Sequence, residues 1–202
     1  SEWLAVGHID EIFLFIPDYR PESTRPWKVI IASPTMAWEG LTDLYSQNYG
    51  NAKIFNGRDQ QTTVTNILTD AELFYYNQAA QARIDSIRFE LQDALGLSDA
   101  DFIELPVLYE PLWYGGYDFA VAYNPGVQNL IVADNVLFVP DPEGPEIGGV
   151  GLWKTQIENK LEPLGLEIHF VDVYESYHVM MGEAHCGSNF QRDGFATSWW
   201  EH

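Results

Sequence analysis

Cysteine is almost absent from this sequence: the 202 residues contain one, Cys186. A single cysteine excludes a disulfide bond within the chain, so folding does not depend on oxidising conditions. No apolar run approaches the roughly 20 residues that a transmembrane helix needs, and no signal-peptide pattern is present. We therefore expect a soluble protein with no membrane partner, and an intracellular location is favoured.

Basic residues are also scarce, because 10 lysines and arginines stand against 30 aspartates and glutamates, for a formal net charge of -20. Such a charge repels nucleic-acid phosphates and anionic lipid, and it attracts cationic substrates. Nucleic acid is therefore excluded as an expected partner. An acidic surface that only maintains solubility explains the same composition.

The first half of the chain alternates between strand and helix patterns. Strands are predicted at 3–7, 12–16, 27–32 and 102–105, with a polar turn at 8–11 and an aromatic loop at 113–117. Helices are predicted at 35–49 and 70–95. The second helix begins at a cap residue, Thr69 or Asp70, and ends at Gly96. It carries an apolar stripe that includes Phe74, Tyr75 and Leu91.

The second half gives a similar order. A hairpin is predicted from 129–132 and 136–139, followed by a helix at 152–164 and a strand at 166–171. Strand, strand, helix, strand thus occurs in both halves and predicts an α/β (α+β) fold with a weak ββαβ repeat. With 46% hydrophobic residues, the chain is expected to form one domain or part of a larger one.

The segment 176–192 (SYHVMMGEAHCGSNFQR) contains the lone thiol. Gly187 permits close backbone approach next to Cys186, and small polar neighbours can orient a reacting group, as a nucleophile requires. The alternative is that Cys186 is an inert buried apolar residue. His178 and Glu183 could be imagined as zinc ligands with this cysteine, but their spacing matches no strong metal pattern.

A second polar group lies at the other end of the chain. His8 and Asp10 would point to the same side if the segment were extended, so one could act on a bound group that the other grips. With Cys186 they supply a nucleophile, an acid/base and a carboxylate that can hold a cation in bidentate fashion. A polar surface turn explains 8–11 as well.

Four motifs extend this set across the chain: 3–11 (WLAVGHIDE), 140–145 (PDPEGP), 161–166 (LEPLGL) and 177–189, which ends in GEAHCGSN. In this order they resemble the protein-arginine deiminases, and SWW at 198–200 resembles that family's C-terminus. The resemblance implies a pentein-type propeller of five ββαβ modules. Residues 1–202 would then be the C-terminal part of the catalytic domain, about half of the propeller.

The resemblance also implies roles for individual residues. Cys186 would be the nucleophile, His8 the acid/base group and Asp10 a guanidinium-binding carboxylate, with Val6 as a further substrate-binding residue. His185 and Asn189 would be supporting residues; because adjacent strand residues point to opposite sides, His185 is not expected to act directly. No metal ligand or cofactor is evident in this chain.

The implied reaction is hydrolysis of an arginine side chain, in a peptide or protein, to citrulline and ammonia. The family's second guanidinium-binding aspartate, and the region that supplies calcium ligands in animal members, have no counterpart here. Calcium is therefore implied by resemblance alone. Two alternatives stay open: an inactive partial domain or binding module, and a Cys-His-Asp hydrolase of another class. Half a propeller exposes sheet edges, so self-association or pairing with a missing N-terminal half is expected.

Overall fold

The computed structural model describes residues 2–190, which form a mixed α/β structure with several small sheets. Its helices are α1 (Pro34–Ser46), α2 (Val64–Thr69), α3 (Ala71–Leu95) and α4 (Leu152–Leu161), with short 3-10 helices at Ile9–Glu11, Asp99–Asp101, Glu162–Leu164 and His178–Met180. The strands are β1 (Phe13–Pro17), β2 (Trp27–Ser33), β3 (Lys53–Ile54), β4 (Thr62–Thr63), β5 (Phe102–Pro106), β6 (Tyr109–Tyr114), β7 (Tyr117–Ala122), β8 (Ile131–Ala133), β9 (Val136–Pro140), β10 (Glu146–Ile147), β11 (Val150–Gly151) and β12 (Glu167–Val171). Within this described part, no helix has the length and apolar character to span a bilayer.

Two three-stranded sheets have the same construction. In the first, β2 pairs antiparallel with β1 and parallel with β5, and helices α1 to α3 connect the parallel strands. In the second, β9 pairs antiparallel with β8 and parallel with β12, and α4 makes the connection. The ββαβ order predicted from the sequence is thus present twice. The first copy begins at β1, not at 3–7.

The predicted strand at 3–7 is wrong, because only Leu4 forms an isolated parallel bridge, to Ala120 of β7. The amide of Ala5 donates to the Ala120 carbonyl (2.9 Å), and the amide of Ala120 donates to the Trp3 carbonyl (2.8 Å). The polar turn that follows is the 3-10 helix Ile9–Glu11. This end of the chain therefore packs on β7, where sequence alone paired it with β1.

The aromatic loop predicted at 113–117 is instead the tip of a β-hairpin. Strands β6 and β7 pair from Tyr109–Ala122 to Tyr114–Tyr117, and Gly115 and Gly116 form the turn. Both glycines have positive φ, 63° and 87°, which is the backbone of a type I′ hairpin turn. A Gly-Gly pair between aromatic residues was the signal for this turn.

Helix α3 confirms the predicted helix at 70–95. Asp70 Oδ1 accepts from the Leu73 amide (2.9 Å), and Gly96 ends the helix with φ 61°. Its predicted apolar stripe is correct in part: Ile87 and Leu91 pack on the core, but Tyr75 is 68% exposed. The buried residues of the helix are Leu73, Asn77, Ala80 and Ile84. Asn77 is buried because its side chain hydrogen-bonds the backbone of Tyr109 at both N–H and C=O.

One apolar cluster joins the two ββαβ units. It draws Ile30 and Leu105 from the first sheet and Leu137 and Val139 from the second, with Ile157 of α4 between them. All five side chains are fully buried. The two units therefore share a continuous core, and neither half of the chain can be removed without exposing it.

The loop after β1 is fixed by a buried carboxylate. Asp18 accepts from Arg20 Nε (2.9 Å) and Nη2 (2.7 Å) and from Ser23 Oγ (2.6 Å), and its side chain is fully buried. Lys28 Nζ lies 3.9 Å away. The hydrogen bonds from Arg20 hold the pKa of this carboxyl well below its ordinary value.

We expect Asp18→Asn to lower the free energy of unfolding by about 2 kcal/mol at pH 7, a value reduced for the partial exposure of Arg20. A depressed carboxyl pKa stabilises the fold above the unfolded-state pKa of about 4, and this contribution is lost as the pH falls below it. The difference in unfolding free energy between parent and variant, measured in urea, should therefore begin to shrink below about pH 4 and continue to shrink toward the depressed folded-state pKa. A difference that stays constant from pH 7 to 3 would contradict the assignment, and Asp93→Asn, an exposed aspartate on α3, is the control.

Candidate functional site

Cys186 is exposed and lines a cleft of about 450 Å³. The alternative of a buried cysteine is therefore wrong. The cysteine lies in a segment of turns after the 3-10 helix His178–Met180, and its amide donates to Asn129 Oδ1 (3.3 Å). A Cβ atom on Gly187 would stand 2.4 Å from the Tyr177 ring, so only glycine permits this approach.

A buried histidine–glutamate pair lies in the same cleft. His178 Nδ1 donates to Glu183 Oε1 (2.7 Å), which also accepts from the Gly126 amide (3.1 Å). The second carboxylate oxygen, Glu183 Oε2, is buried without a hydrogen-bond partner among residues 2–190, as are Gln128 Oε1 and Asn129 Nδ2. The cleft wall thus contains acceptors and a donor that these residues do not satisfy.

Two further glutamates give the cleft its acidic character. Burial raises the pKa of Glu11 above its ordinary value, against a hydrogen bond from the His8 amide (2.6 Å), and burial likewise raises the pKa of Glu110. Burial also raises the pKa of Tyr123 to about 12. Glu11, Glu110 and Glu183 line the cleft, and among the described residues that line it there is neither lysine nor arginine. Such a cleft favours a cation.

The two ends of the chain meet next to the cysteine, through Asp10 and His185. Asp10 Oδ2 accepts from His185 Nδ1 at 2.6 Å, with the aspartate side chain 12% exposed and the histidine side chain 52% exposed. The geometric reason for a supporting His185 was wrong, since 182–190 is not a strand. Its contact is with the Asp10 carboxylate.

His8 is exposed and is not among the residues that line the cleft. The 3-10 helix Ile9–Glu11 replaces the extended segment that was predicted to point His8 and Asp10 to one side. The structure brings Cys186 together with His178 and Glu183, and Asp10 together with His185.

Four other predicted residues do not line the cysteine cleft either, namely Asp10, His185, Val6 and Asn189. Val6 is 38% exposed and does not line it. Asn189 lines a second groove of about 620 Å³, together with His185 and the apolar side chains of β1 and β8. The end of the segment 176–192 and the SWW motif at 198–200 lie outside the described residues.

Sequence reasoning missed several cleft residues. Glu11 lies inside the motif at 3–11, so it was the one of these residues that the sequence could have identified. Glu110 lies in strand β6, and Gln128 and Asn129 precede strand β8, where nothing in the sequence distinguishes them. Gln128 Nε2 and Tyr109 Oη both donate to the Glu11 carbonyl, so these residues attach 8–11 to the cleft.

Among residues 2–190, no group of three or more His, Cys, Asp or Glu side chains is arranged to hold a metal ion.

The fold and site together define a mixed α/β protein with an exposed cysteine in an acidic cleft. The family model described as "Protein-arginine deiminase (PAD)" matches residues 1–201. The chain belongs to the protein-arginine deiminase family. It is 34% identical to mouse protein-arginine deiminase type-4 over 202 residues. This alignment covers 99% of this chain and 30% of the mouse protein.

Other relatives give the same result. Human protein-arginine deiminase type-1 is 34% identical over 99% of this chain and 29% of its own length. Rat protein-arginine deiminase type-3 is 34% identical over 98% of this chain and 30% of its own length. The chain therefore spans about 30% of the length of the curated relatives it matches.

Proposed function

We propose that the cleft around Cys186 serves the hydrolytic deimination of arginine side chains in peptides or proteins, yielding citrulline and ammonia. The observation that carries the proposal is the position of the lone cysteine, exposed in a cleft with three glutamates and no lysine or arginine among its described lining residues. A guanidinium ion is the cationic electrophile that such a cleft suits. The names of the relatives support the same reaction.

In the proposed reaction, the Cys186 thiolate attacks the central guanidinium carbon and forms a C–S bond. The C–N bond then breaks, and His8 protonates the departing ammonia, which leaves a covalent thiouronium intermediate. Water adds to this carbon as His8 takes its proton, and the C–S bond breaks to release citrulline. The net change consumes one arginine side chain and one water.

We propose that Asp10 and Val6 bind the substrate. Asp10 would accept two guanidinium N–H groups, a bidentate contact that a lysine ammonium cannot reproduce. Each carboxylate oxygen has two lone pairs, so Asp10 Oδ2 can accept from His185 and from substrate at once. His185 would then hold the carboxylate in position, and Asn189 would shape the turn after the cysteine.

Asp10→Asn is expected to lower kcat/KM for a peptide-arginine substrate by about 100-fold, because one charge-assisted pair is lost. Folding should be retained, since asparagine has nearly the same shape. Citrulline release and thermal unfolding measure the two effects separately. Deimination at close to the parent rate in an active preparation would remove Asp10 from substrate binding.

The fold proposed for the parent domain is the pentein propeller, of which residues 1–202 would form the C-terminal part. The two ββαβ units with a shared core support this, since the propeller repeats that module. The apolar groove along β1 and β8 would then face a second copy or the N-terminal half of the domain. Sedimentation that gives a monomer at all concentrations would count against self-association.

The test of the function is citrulline formation from an arginine peptide, followed as a mass increase of about one dalton and as released ammonia, together with labelling of Cys186. An amidine electrophile should label the thiol, and an acyl electrophile should not. The reverse labelling would favour a Cys-His-Asp hydrolase, which needs an oxyanion hole for a neutral acyl substrate.

A binding module without turnover is the second candidate, and the position of His8 outside the lining of the cysteine cleft favours it. This candidate predicts that arginine peptides bind to the chain while no citrulline forms.

A further inference from the structure

The β6–β7 hairpin carries the most exposed aromatic side chains beside the cysteine cleft. Trp113, Tyr114 and Tyr117 are 72%, 75% and 70% exposed, and they flank the turn formed by Gly115 and Gly116. Three large aromatic side chains exposed at one hairpin tip are unusual, because their apolar surface is unfavourable in water. Contact with a partner would bury that surface. Neither α3 nor any other described element covers them.

The hairpin register shows which of these rings extend the cleft wall. Glu110 pairs with Val121, Leu112 with Phe119 and Tyr114 with Tyr117. Directly opposed residues, and residues two apart on a strand, share one face of the ribbon. Because Glu110, Val121 and Leu112 line the cleft, the same face continues outward to Phe119, Tyr114 and Tyr117.

The tip is therefore an extension of the wall and not a separate surface. The rings of Tyr117 and Phe119 are in contact, with centroids 6.2 Å apart. From Glu110 to Tyr114 a strand rises about 14 Å, which is the length of about four residues of an extended peptide. A segment whose arginine reaches the cysteine thus has room to lie along this face.

The base of the hairpin is held firmly. Tyr109 is fully buried, its amide donates to Asn77 Oδ1 (2.8 Å), and its carbonyl accepts from Asn77 Nδ2 (2.8 Å). Its hydroxyl donates to the Glu11 carbonyl (2.7 Å). The wall is thus anchored to α3 and to the segment 8–11, and its rings are presented on a preorganised backbone.

We propose that Tyr114 and Tyr117 bind the polypeptide on one side of the reacting arginine, within about four residues of it, and so select a flexible basic segment over free arginine. The position of the arginine in this inference rests on the proposed function. The negative charge of the cleft indicates a basic partner. The wall begins at Glu110, and the cleft has three glutamates and, among its described lining residues, neither lysine nor arginine. Tyrosine faces also attract guanidinium and ammonium groups.

The test compares two ligands on one protein. A fluorescent nine-residue peptide with a central arginine and a lysine three positions to either side is titrated against the chain, and Nα-acetylarginine amide is titrated in competition. The double variant Tyr114→Ala/Tyr117→Ala should weaken peptide binding about tenfold, because it removes the aromatic surface and the faces that attract basic groups. Binding of the amide should change less than twofold.

The matched control is Tyr45→Ala/Phe89→Ala, which removes two exposed rings on α1 and α3 that do not line the cleft. It should leave both ligands unaffected. Equal weakening of peptide and amide by the hairpin variant, no weakening of either, or no binding of the peptide to the parent chain would each overturn the inference.

A parallel citrulline assay separates this inference from the proposed function. If the hairpin variant selectively loses peptide binding but the parent forms no citrulline, the peptide-binding role of the hairpin is supported and the proposed reaction is contradicted. If the parent and the hairpin variant form citrulline from the peptide equally fast, the reaction is supported and the role of the hairpin is contradicted.

Discussion

Replacing Cys186 with serine is expected to reduce citrulline release from an arginine peptide by at least about 10³-fold, because a serine hydroxyl remains protonated where a thiol can ionise. The residue is exposed, so the substitution should leave the melting temperature within about 1 °C of the parent. Initial rates by ammonia release and the mass shift of the peptide give two independent measurements.

The matched control for Cys186→Ser is Met180→Leu, an exposed residue on the same segment that does not line the cleft. It should retain the parent rate within a factor of about two. If the serine variant kept more than a tenth of the parent activity, covalent catalysis by this thiol would be ruled out. The amidine label should also be absent from the serine variant.

The second large effect is expected from His8, and His178, which lines the cleft, is the comparison. His8→Ala should lower kcat by about 10²–10⁴-fold, as loss of a general acid/base group does, and should remove one limb of the pH–rate profile. His178→Gln should cost less than about tenfold in kcat, because glutamine can still donate to Glu183 and the histidine has no proton-transfer role in the proposed reaction.

The two variants also test the geometry. His178 lies in the cleft with the cysteine, whereas His8 does not line it. A collapse of kcat and of the pH profile in His178→Gln, with His8→Ala near the parent rate, would therefore transfer the acid/base role to His178. Thermal unfolding of both variants is needed, since His178 is mostly buried and pairs with Glu183.

Local sequence signals predicted those elements whose ends carry strong chemistry. Helix α3 begins at an aspartate cap and ends at a glycine in the left-handed conformation. The hairpin β8–β9 consists of two apolar runs joined by a short polar turn. The prediction for 3–7 was wrong because this segment contacts β7, more than 100 residues away in the chain. Its apolar pattern fits a strand whatever it pairs with.

The site was predictable only in part. The motif around Cys186 and the motif at 8–11 identified both ends, but the 3-10 helix and the Asp10–His185 contact depend on how the ends meet. Glu110 and Asn129 carry no local signal, because a glutamate in an amphipathic strand and an asparagine before a strand are ordinary. Their roles come from position alone.

The hydrogen bond between Asp10 and His185 spans 175 residues of chain. Closing so long a loop costs entropy that only a nearly complete core can offset, so this contact should form late in folding. The protein would then become able to bind substrate only when the last native contacts form. It would lose this ability as soon as Asp10 and His185 separate. Loss of activity should precede global unfolding in a denaturant titration, so the cleft would act as an early reporter of damage to the fold.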